Sequence, residues 1–168
     1  YNALGAIVAS IEAGLPVDKI REGLLAFTGT KRRFEYIGKT RHGALLFDDY
    51  GHHPTEIKKT LLAFKQAYPK SKIVCIFQPH TYSRTKKLFD QFISSFSIPN
   101  NVILTNIYPS LREKPDNSIS SELLANEINK LYGRTVFLPN LSDVVEYIER
   151  KRPGEDTVII TMGAGDVY

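Results

Sequence analysis

The chain has 168 residues, of which 42% are hydrophobic and 24% are charged, with a formal net charge of +4 at pH 7. These are ordinary globular values, so they exclude intrinsic disorder, collagen and a long coiled coil. The single cysteine, Cys75, excludes an internal disulfide and fits a reducing compartment, so we expect a cytoplasmic protein. No stretch approaches the roughly 18 apolar residues of a membrane-spanning helix, and we expect no membrane partner.

The first thirty residues predict two helices. Leu4, Ile7 and Ile11 recur at helical spacing and form one apolar face. Gly14 predicts the end of this first helix, and Pro16 predicts the start of a second one. Because the chain opens inside a helix and stops just after a glycine-rich turn, we expect it to be a piece of a longer protein.

The rest of the chain predicts a hairpin followed by alternating strands and helices. The hairpin strands are expected at 34–37 and 44–47. Further strands are expected at 72–77, 102–105, 135–138 and 157–161. Helices are expected at 54–68, 83–96, 119–131 and 142–150. This alternation predicts an α/β fold, a Rossmann-like and mostly parallel open sheet of about six strands flanked by helices on both faces.

Polar segments follow four of the predicted strands at their carboxyl ends, which is where open parallel sheets bind ligands. The segments are 48–54, 78–85, 106–109 and 162–166, and they hold three of the four histidines. The opposite edge of the sheet is expected to carry ordinary turns. This asymmetry predicts a ligand site at the carboxyl edge.

Two of these segments also open predicted helices. Pro54 suits the first position of the helix predicted at 54–68, and Ser83 is expected to cap the helix predicted at 83–96. Helix N-termini hold anions through free N–H groups and a partial positive charge. Arg84 adds a bidentate fork for carboxylate or phosphate. Together these features favour an anionic ligand.

Each candidate residue also has a structural interpretation. His52 and His53 suggest zinc, but adjacent side chains rarely converge on one ion; alternatively, one caps a helix and the other packs. We therefore expect no metal site here. Asp48 and Asp49 either end a strand or hold magnesium or a ribose hydroxyl. His80 is either a base or hydrogen-bond donor to substrate, or a structural residue.

Three shorter motifs are less specific. The basic run at 31–33 indicates either a solvated turn or a phosphate contact, and with a net charge of only +4 we expect no nucleic-acid partner. Residues 38–40 imitate the end of a P-loop, but Arg33 stands where a glycine is required and a strand follows, so we reject a P-loop. Residues 162–166 resemble half of a dinucleotide-binding fingerprint.

Four segments occur here in the order that one family shows. They read Lys-Arg-Arg-Phe-Glu at 31–35, Asp-Asp-Tyr-Gly-His-His-Pro-Thr-Glu at 48–56, Phe-Gln-Pro-His-Thr-Tyr-Ser-Arg-Thr at 77–85 and Met-Gly-Ala-Gly-Asp at 162–166. On these segments the chain resembles the C-terminal domain of the Mur ligases over nearly its whole length. The resemblance implies that residues 31–168 form this Rossmann-like domain. It also implies that residues 1–30 end the central ATPase domain or link to it.

The resemblance implies an ATP-dependent amide ligase of peptidoglycan synthesis with N-terminal and central domains of its own. In the expected reaction, ATP activates the carboxylate of UDP-N-acetylmuramate as an acyl phosphate, and the amine of L-alanine displaces phosphate. ATP and Mg²⁺ would be held mainly by the central domain, so the isolated chain is expected to be inactive. The alternatives are the ligase of the same family that recycles murein tripeptide, and a non-catalytic nucleotide-binding module.

The resemblance also assigns nucleotide-binding roles by position. Asn2 is expected to border the adenine, Arg33 to reach the ATP phosphates and Asp49 to hold the ribose.

A second group is assigned to the incoming amino acid. The residues expected to line this mouth are Tyr50, His52, His53, His80 and Arg84. The resemblance implies that His80 and Arg84 are the catalytic pair, with Arg84 on the amino-acid carboxylate. Thr81 stands where many relatives carry an arginine, so the carboxylate must be held by Arg84 or another group.

Overall fold

The computed structural model describes residues 2–111 and 113–168. It divides into two compact units, one ending at Lys31 and the other running from Arg32 to the last residue. The first unit consists of α1 (Asn2–Glu12) and α2 (Val17–Ala26), as predicted. Gly14, with a φ of +78°, turns the chain between them. Neither helix buries a side chain.

The second unit is an α/β sheet domain. Its strands are β1 (Glu35–Lys39), β2 (Leu45–Asp49), β3 (Lys72–Phe77), β4 (Asn101–Leu104), β5 (Thr135–Phe137) and β6 (Thr157–Met162). Its helices are α3 (Pro54–Ala67), α4 (Tyr82–Lys87), α5 (Phe89–Ser95), α6 (Ser121–Tyr132) and α7 (Leu141–Lys151). The six strands pair in the order β1-β2-β6-β3-β4-β5, and only β1 is antiparallel to its neighbour. The predicted fold class is confirmed.

The strand order explains how helices come to cover both faces. From β2 the chain steps through β3 and β4 to β5 in one direction, and then returns to insert β6 between β2 and β3. Because parallel crossovers are right-handed, the reversal places the last crossover helix on the opposite face. Accordingly α3, α5 and α6 pack on one side of the sheet and α7 on the other.

The larger core layer is rich in aromatic side chains. Phe77 and Phe47 of the sheet meet Phe64 of α3 and Phe92 of α5, all of them at most 4% exposed. Cys75 lies in the same layer with no exposed surface, and burial raises the pKa of its thiol. It is therefore an inert core residue.

Most elements lie within two residues of their predicted bounds, and two differences bear on the site. β2 continues through Asp48 and Asp49, which pair in register with Thr161 and Met162 of β6. The single helix expected at 83–96 is two helices that meet at a bend.

The bend lies at Leu88, which has φ −111° and ψ 22°. Its N–H still bonds the Arg84 carbonyl and its carbonyl still accepts from the Phe92 N–H, so helical hydrogen bonding passes through the bend. No proline or glycine occurs there to predict it.

Candidate functional site

The polar segments lie together at the carboxyl edge of the sheet, as expected. The strands β2, β6 and β3 are adjacent and parallel, so the segments that follow them emerge side by side. An isolated parallel bridge between His80 and Tyr108 adds the segment after β4 to the same edge. Two distinct polar groups form here, one closed and one open.

The closed group, which we call the arginine clasp, consists of Arg32, Asp48 and the carbonyls of Gly163 and Gly165. Arg32 donates from Nε to Asp48 Oδ2 at 2.8 Å, from Nη2 to the Gly163 carbonyl at 2.7 Å and from Nη1 to the Gly165 carbonyl at 3.0 Å. Asp48, only 1% exposed, also accepts from the Thr161 hydroxyl at 2.7 Å. The clasp ties the chain before β1 to the loop after β6.

Asp49, expected to hold a ribose, is largely occupied by the protein itself. Its Oδ2 accepts from the Phe34 N–H at 3.0 Å, and its Oδ1 accepts from the Gly51 N–H at 2.8 Å and lies 3.5 Å from the Thr60 hydroxyl. The side chain is 5% exposed. A carboxylate has about four acceptor sites, so Asp49 has one left for a ligand.

Arg33 differs sharply from its neighbour Arg32. Its side chain is exposed, and its guanidinium lies 5.5 Å from the centre of the Tyr50 ring. Arg32 and Phe34 on either side have left-handed backbones, with φ of 57° and 52°. Such strain persists only where surrounding contacts enforce it, and here the clasp and the Asp49 hydrogen bond do so.

His53 caps α3 instead of facing a metal. Its Nδ1 accepts from the Thr55 N–H at 3.3 Å, while Pro54 occupies the first helical position as predicted. Glu56 accepts from the His52 and His53 N–H groups at 3.1 Å, completing a capping box. Burial opposes ionisation of Glu56, but these two hydrogen bonds and nearby positive charge outweigh it and lower the pKa of Glu56.

The open group, which we call the mouth, consists of Tyr50, His52, His80, Arg84 and Tyr108. The His52 ring packs edge-on against Tyr50 at 5.3 Å and against His80 at 6.0 Å, and His80 stacks on Tyr108 at 6.0 Å. The Arg84 Nη1 lies 3.1 Å from His80 Nδ1 and 3.0 Å from the His80 carbonyl. The structure thus brings four of the five predicted mouth residues into one cluster.

The surroundings of His80 favour its neutral form. Burial, the positive Arg84 and the neighbouring His52 lower the pKa of His80, and Glu113 opposes them only in part. A neutral imidazole can accept at one nitrogen and donate from the other, so His80 accepts from Arg84 at Nδ1. A cavity of about 380 Å³ opens beside this pair, lined by His53, Thr81, Ser83, Arg84, Lys87 and Leu88.

Thr81 caps the start of α4, whereas the sequence predicted Ser83 as the cap. Thr81 has a φ of 58°, and its hydroxyl accepts from the Arg84 N–H at 3.4 Å. Ser83 instead donates its backbone N–H to Glu113 at 2.7 Å, and Tyr82 donates to the same carboxylate at 2.8 Å. A carboxylate of the chain itself therefore binds the first N–H groups of α4.

The loop after β6 requires its glycines. A Cβ on Gly165 would overlap Gln78 Oε1 and the Tyr108 ring, and a Cβ on Gly163 would approach the Gln78 carbonyl to 2.8 Å. Gln78 donates to Asp166 at 2.9 Å and so fixes this loop against the segment after β3. The half-fingerprint at 162–166 is thus a packing motif that holds the loop after β6 against Gln78 and Tyr108.

Some contributors could not be identified from the sequence. Arg32 and Arg33 are adjacent and chemically identical, and only long-range contacts distinguish them. Tyr108 follows a strand in a segment that was singled out, whereas Glu113 lies in a loop that no motif marks. Asn2 lies in the first unit, within α1.

Metal and membrane features can be stated for the described residues only. In residues 2–111 and 113–168, no group of three or more His, Cys, Asp or Glu side chains is placed to hold a metal ion. Over the same ranges, no helix has the length and apolar character needed to cross a membrane.

The fold is a Rossmann-like α/β domain, and its candidate site lies at the carboxyl edge of the sheet. Residues 32–165 match the family described as Mur ligase, glutamate ligase domain. The chain therefore belongs to the Mur ligase family. It is 42% identical over 168 residues to a UDP-N-acetylmuramate–L-alanine ligase of Desulfitobacterium hafniense, covering 99% of this chain and 37% of that protein.

Solved structures support the same assignment. A UDP-N-acetylmuramate–alanine ligase from Thermotoga maritima superposes with a TM-score of 0.77 at 27% identity, covering 99% of this chain and 34% of that one. A murein peptide ligase from Psychrobacter arcticus gives a TM-score of 0.68 at 25% identity, covering 98% and 33%. The chain spans little more than a third of the length of the curated relatives that it matches.

Proposed function

We propose that this chain is the C-terminal part of an ATP-dependent ligase that joins L-alanine to UDP-N-acetylmuramate through an acyl phosphate. The observation that carries the proposal is the mouth, in which Arg84 Nη1 lies 3.1 Å from His80 Nδ1 beside a cavity of about 380 Å³. The names of relatives at 41–46% identity supply the substrates, since they are UDP-N-acetylmuramate–L-alanine ligases.

The amino acid is proposed to bind at the mouth. Arg84 donates one nitrogen to His80, and the rest of its guanidinium fork suits the carboxylate of a small amino acid. Lys87 lines the same cavity and adds a second positive charge. Thr81 serves as a helix cap here, so the carboxylate clamp falls to Arg84 and Lys87.

The nucleotide is proposed to contact Arg33, Asp49 and Asn2. Arg33, exposed beside Tyr50, suits the ATP phosphates because no hydrogen bond holds its guanidinium among the described residues. Asp49 suits a ribose hydroxyl through its one remaining acceptor site, and Asn2 is proposed to border the adenine. Mg²⁺ would offset phosphate charge, and we assign its ligands to the central domain.

The two leading helices are proposed to pack on the upstream part of the full-length chain. They expose large apolar side chains, including Leu4 at 61%, Val8 at 58% and Leu25 at 77%. A surface of this kind marks an interface. The chain covers 37% of a relative's length, which supports further domains upstream in the whole protein.

The test is phosphate release from ATP by the full-length protein with UDP-N-acetylmuramate. Release that requires L-alanine supports the proposal. Release that requires L-alanyl-γ-D-glutamyl-diaminopimelate instead identifies the recycling ligase and contradicts it. Release with neither amine leaves a nucleotide-binding module and removes the catalytic roles given above.

A further inference from the structure

The two mouth histidines have different tautomers, and their partners determine which. His52 Nδ1 lies 3.0 Å from the Tyr50 carbonyl oxygen. A carbonyl can only accept a hydrogen bond, so the proton of a neutral His52 resides on Nδ1 and Nε2 carries a free lone pair. Among the described residues, no hydrogen bond engages His52 Nε2.

His80 has the opposite arrangement. Its Nδ1 lies 3.1 Å from Arg84 Nη1, and a guanidinium can only donate. Neutral His80 therefore accepts at Nδ1 and carries its proton on Nε2. It can present an N–H to a ligand, but it has no free lone pair with which to take a proton.

The groups around His52 stabilise this division. Glu56 of α3 lies 3.8 Å from Nδ1 and favours a proton on that side of the ring. Tyr50 and His80 contact the ring edge-on, and burial and the Arg84 charge lower the pKa of His80, which disfavours a second positive imidazole beside His52. His53 is engaged at the helix cap through its own Nδ1.

The proposed reaction requires a base at this place. A free amino acid is largely an ammonium ion at neutral pH, and its nitrogen has no lone pair until a proton leaves. We propose that His52 Nε2 accepts this proton, and that His80 donates a hydrogen bond and does not act as the base. This inference rests on the proposed function.

The ammonium transfers one proton to His52 Nε2, which becomes an imidazolium. The freed nitrogen forms the C–N bond to the acyl carbon, and the bond from that carbon to the phosphate oxygen breaks. Phosphate leaves with the electron pair, and the amide nitrogen gives up its second proton to solvent.

The test compares two nucleophiles in the full-length enzyme. Hydroxylamine is largely unprotonated at neutral pH, so it attacks an acyl phosphate without a base and yields a hydroxamate. In His52→Gln we expect L-alanine-dependent turnover to fall by about 10²–10⁴, with hydroxamate formation unchanged. The deficit should shrink as pH rises, because more of the alanine amine is then already deprotonated.

Two further variants complete the design. His42→Gln makes the same chemical change in the turn between β1 and β2, at the opposite edge of the sheet, and should leave both reactions unchanged. His80→Gln should raise the KM for L-alanine while retaining the wild-type pH dependence of kcat. Retained hydroxamate formation in each variant also demonstrates a folded enzyme.

Two results would overturn the inference, and they are distinguishable. If wild type forms hydroxamate but His52→Gln loses both reactions equally, or if His80→Gln carries the nucleophile-selective defect, the base assignment is wrong. If wild type forms no hydroxamate and no alanine-dependent phosphate, the proposed function fails and the base assignment fails with it.

Discussion

The arginine clasp and the mouth lie at the same edge of the sheet and use similar residues. They differ in how many of their polar groups are hydrogen-bonded within the protein. In the clasp, Arg32 makes three side-chain hydrogen bonds and Asp48 is 1% exposed. Among the described residues, no hydrogen bond engages His52 Nε2 in the mouth, and Nη1 is the only side-chain nitrogen of Arg84 with a hydrogen-bond partner. Residue type alone therefore does not distinguish a structural group from a ligand-binding one.

The comparison shows that unused hydrogen-bonding capacity is the feature that separates the mouth, where we propose binding, from the clasp. Buried polar groups must find partners, and the clasp provides all of its own. The mouth leaves donors and acceptors that suit the carboxylate and the amino group of the proposed amino acid. The two regions should accordingly respond differently to substitution, in stability for the clasp and in ligand affinity for the mouth.

Arg32→Ala should produce the largest loss of stability. It removes the partner of a buried Asp48 carboxylate and of two loop carbonyls, and breaking a buried ion pair costs about 3 kcal/mol or more. Urea unfolding measures this loss of stability. Arg33→Ala is the matched control and should change the free energy of unfolding by under about 0.5 kcal/mol. Equal effects of the two variants would contradict the distinction between them.

Gly165→Ala should produce the second-largest loss of stability. The added Cβ overlaps Gln78 Oε1 and the Tyr108 ring, so the loop after β6 must shift, at a cost of about 1–3 kcal/mol. Gly133→Ala offers a contrast, because its strain comes from a φ of 65° with no atom within 4 Å of the new Cβ. Thermal unfolding of both variants separates crowding from backbone strain. A Gly165→Ala protein as stable as wild type would show that the loop has room.

Glu56→Gln should weaken the α3 capping box by about 1 kcal/mol. The pKa of Glu56 is lowered in the folded state, so its carboxylate contributes stability above the ordinary value of 4.5. This contribution is lost as pH falls through the folded-state pKa. Unfolding from pH 7 down to pH 3 measures it, and the difference between wild type and variant should close at the acid end. A difference independent of pH would point to packing instead.

Arg84→Gln should change the folding stability least among these variants. Its expected effect is a rise in the pKa of His80. Burial, the largest cause of the lowering, remains, but the positive charge beside the ring is gone. In wild type the lowered pKa makes stability rise as pH increases toward 6.5, because the unfolded state binds the proton more readily. The variant should show a shallower rise. NMR titration of the histidine ring protons reports the shift, and an unchanged His80 titration would contradict it.

Much of the fold could be predicted from periodicity. β3 has its predicted bounds, and α1, α2 and α3 begin or end within a few residues of expectation, because apolar spacing and Gly or Pro punctuation are local. The bend at Leu88 has no such local signal. Asp48 and Asp49 were expected after β2, but pairing with β6, more than a hundred residues away, extends the strand over them.

The site residues, too, divide into those that local sequence signals located and those whose roles depend on distant partners. Strand-end segments located Tyr50, His52, His80 and Arg84 because parallel strands bring their carboxyl ends to one edge. The roles of Arg32 and Glu113 could not be predicted, since their partners lie 131 and 30 residues away in the chain. The assignments of Asn2, Arg33 and Asp49 to the nucleotide remain predictions.

The measurement that tests the central claim most directly is L-alanine saturation of phosphate release by full-length Arg84→Gln. If the mouth binds the amino-acid carboxylate, losing a charged hydrogen-bond donor should raise the KM for L-alanine by about 10-fold or more. The KM for ATP and the free energy of unfolding should stay close to wild type. An unchanged KM for L-alanine would contradict the account and place the amino acid elsewhere.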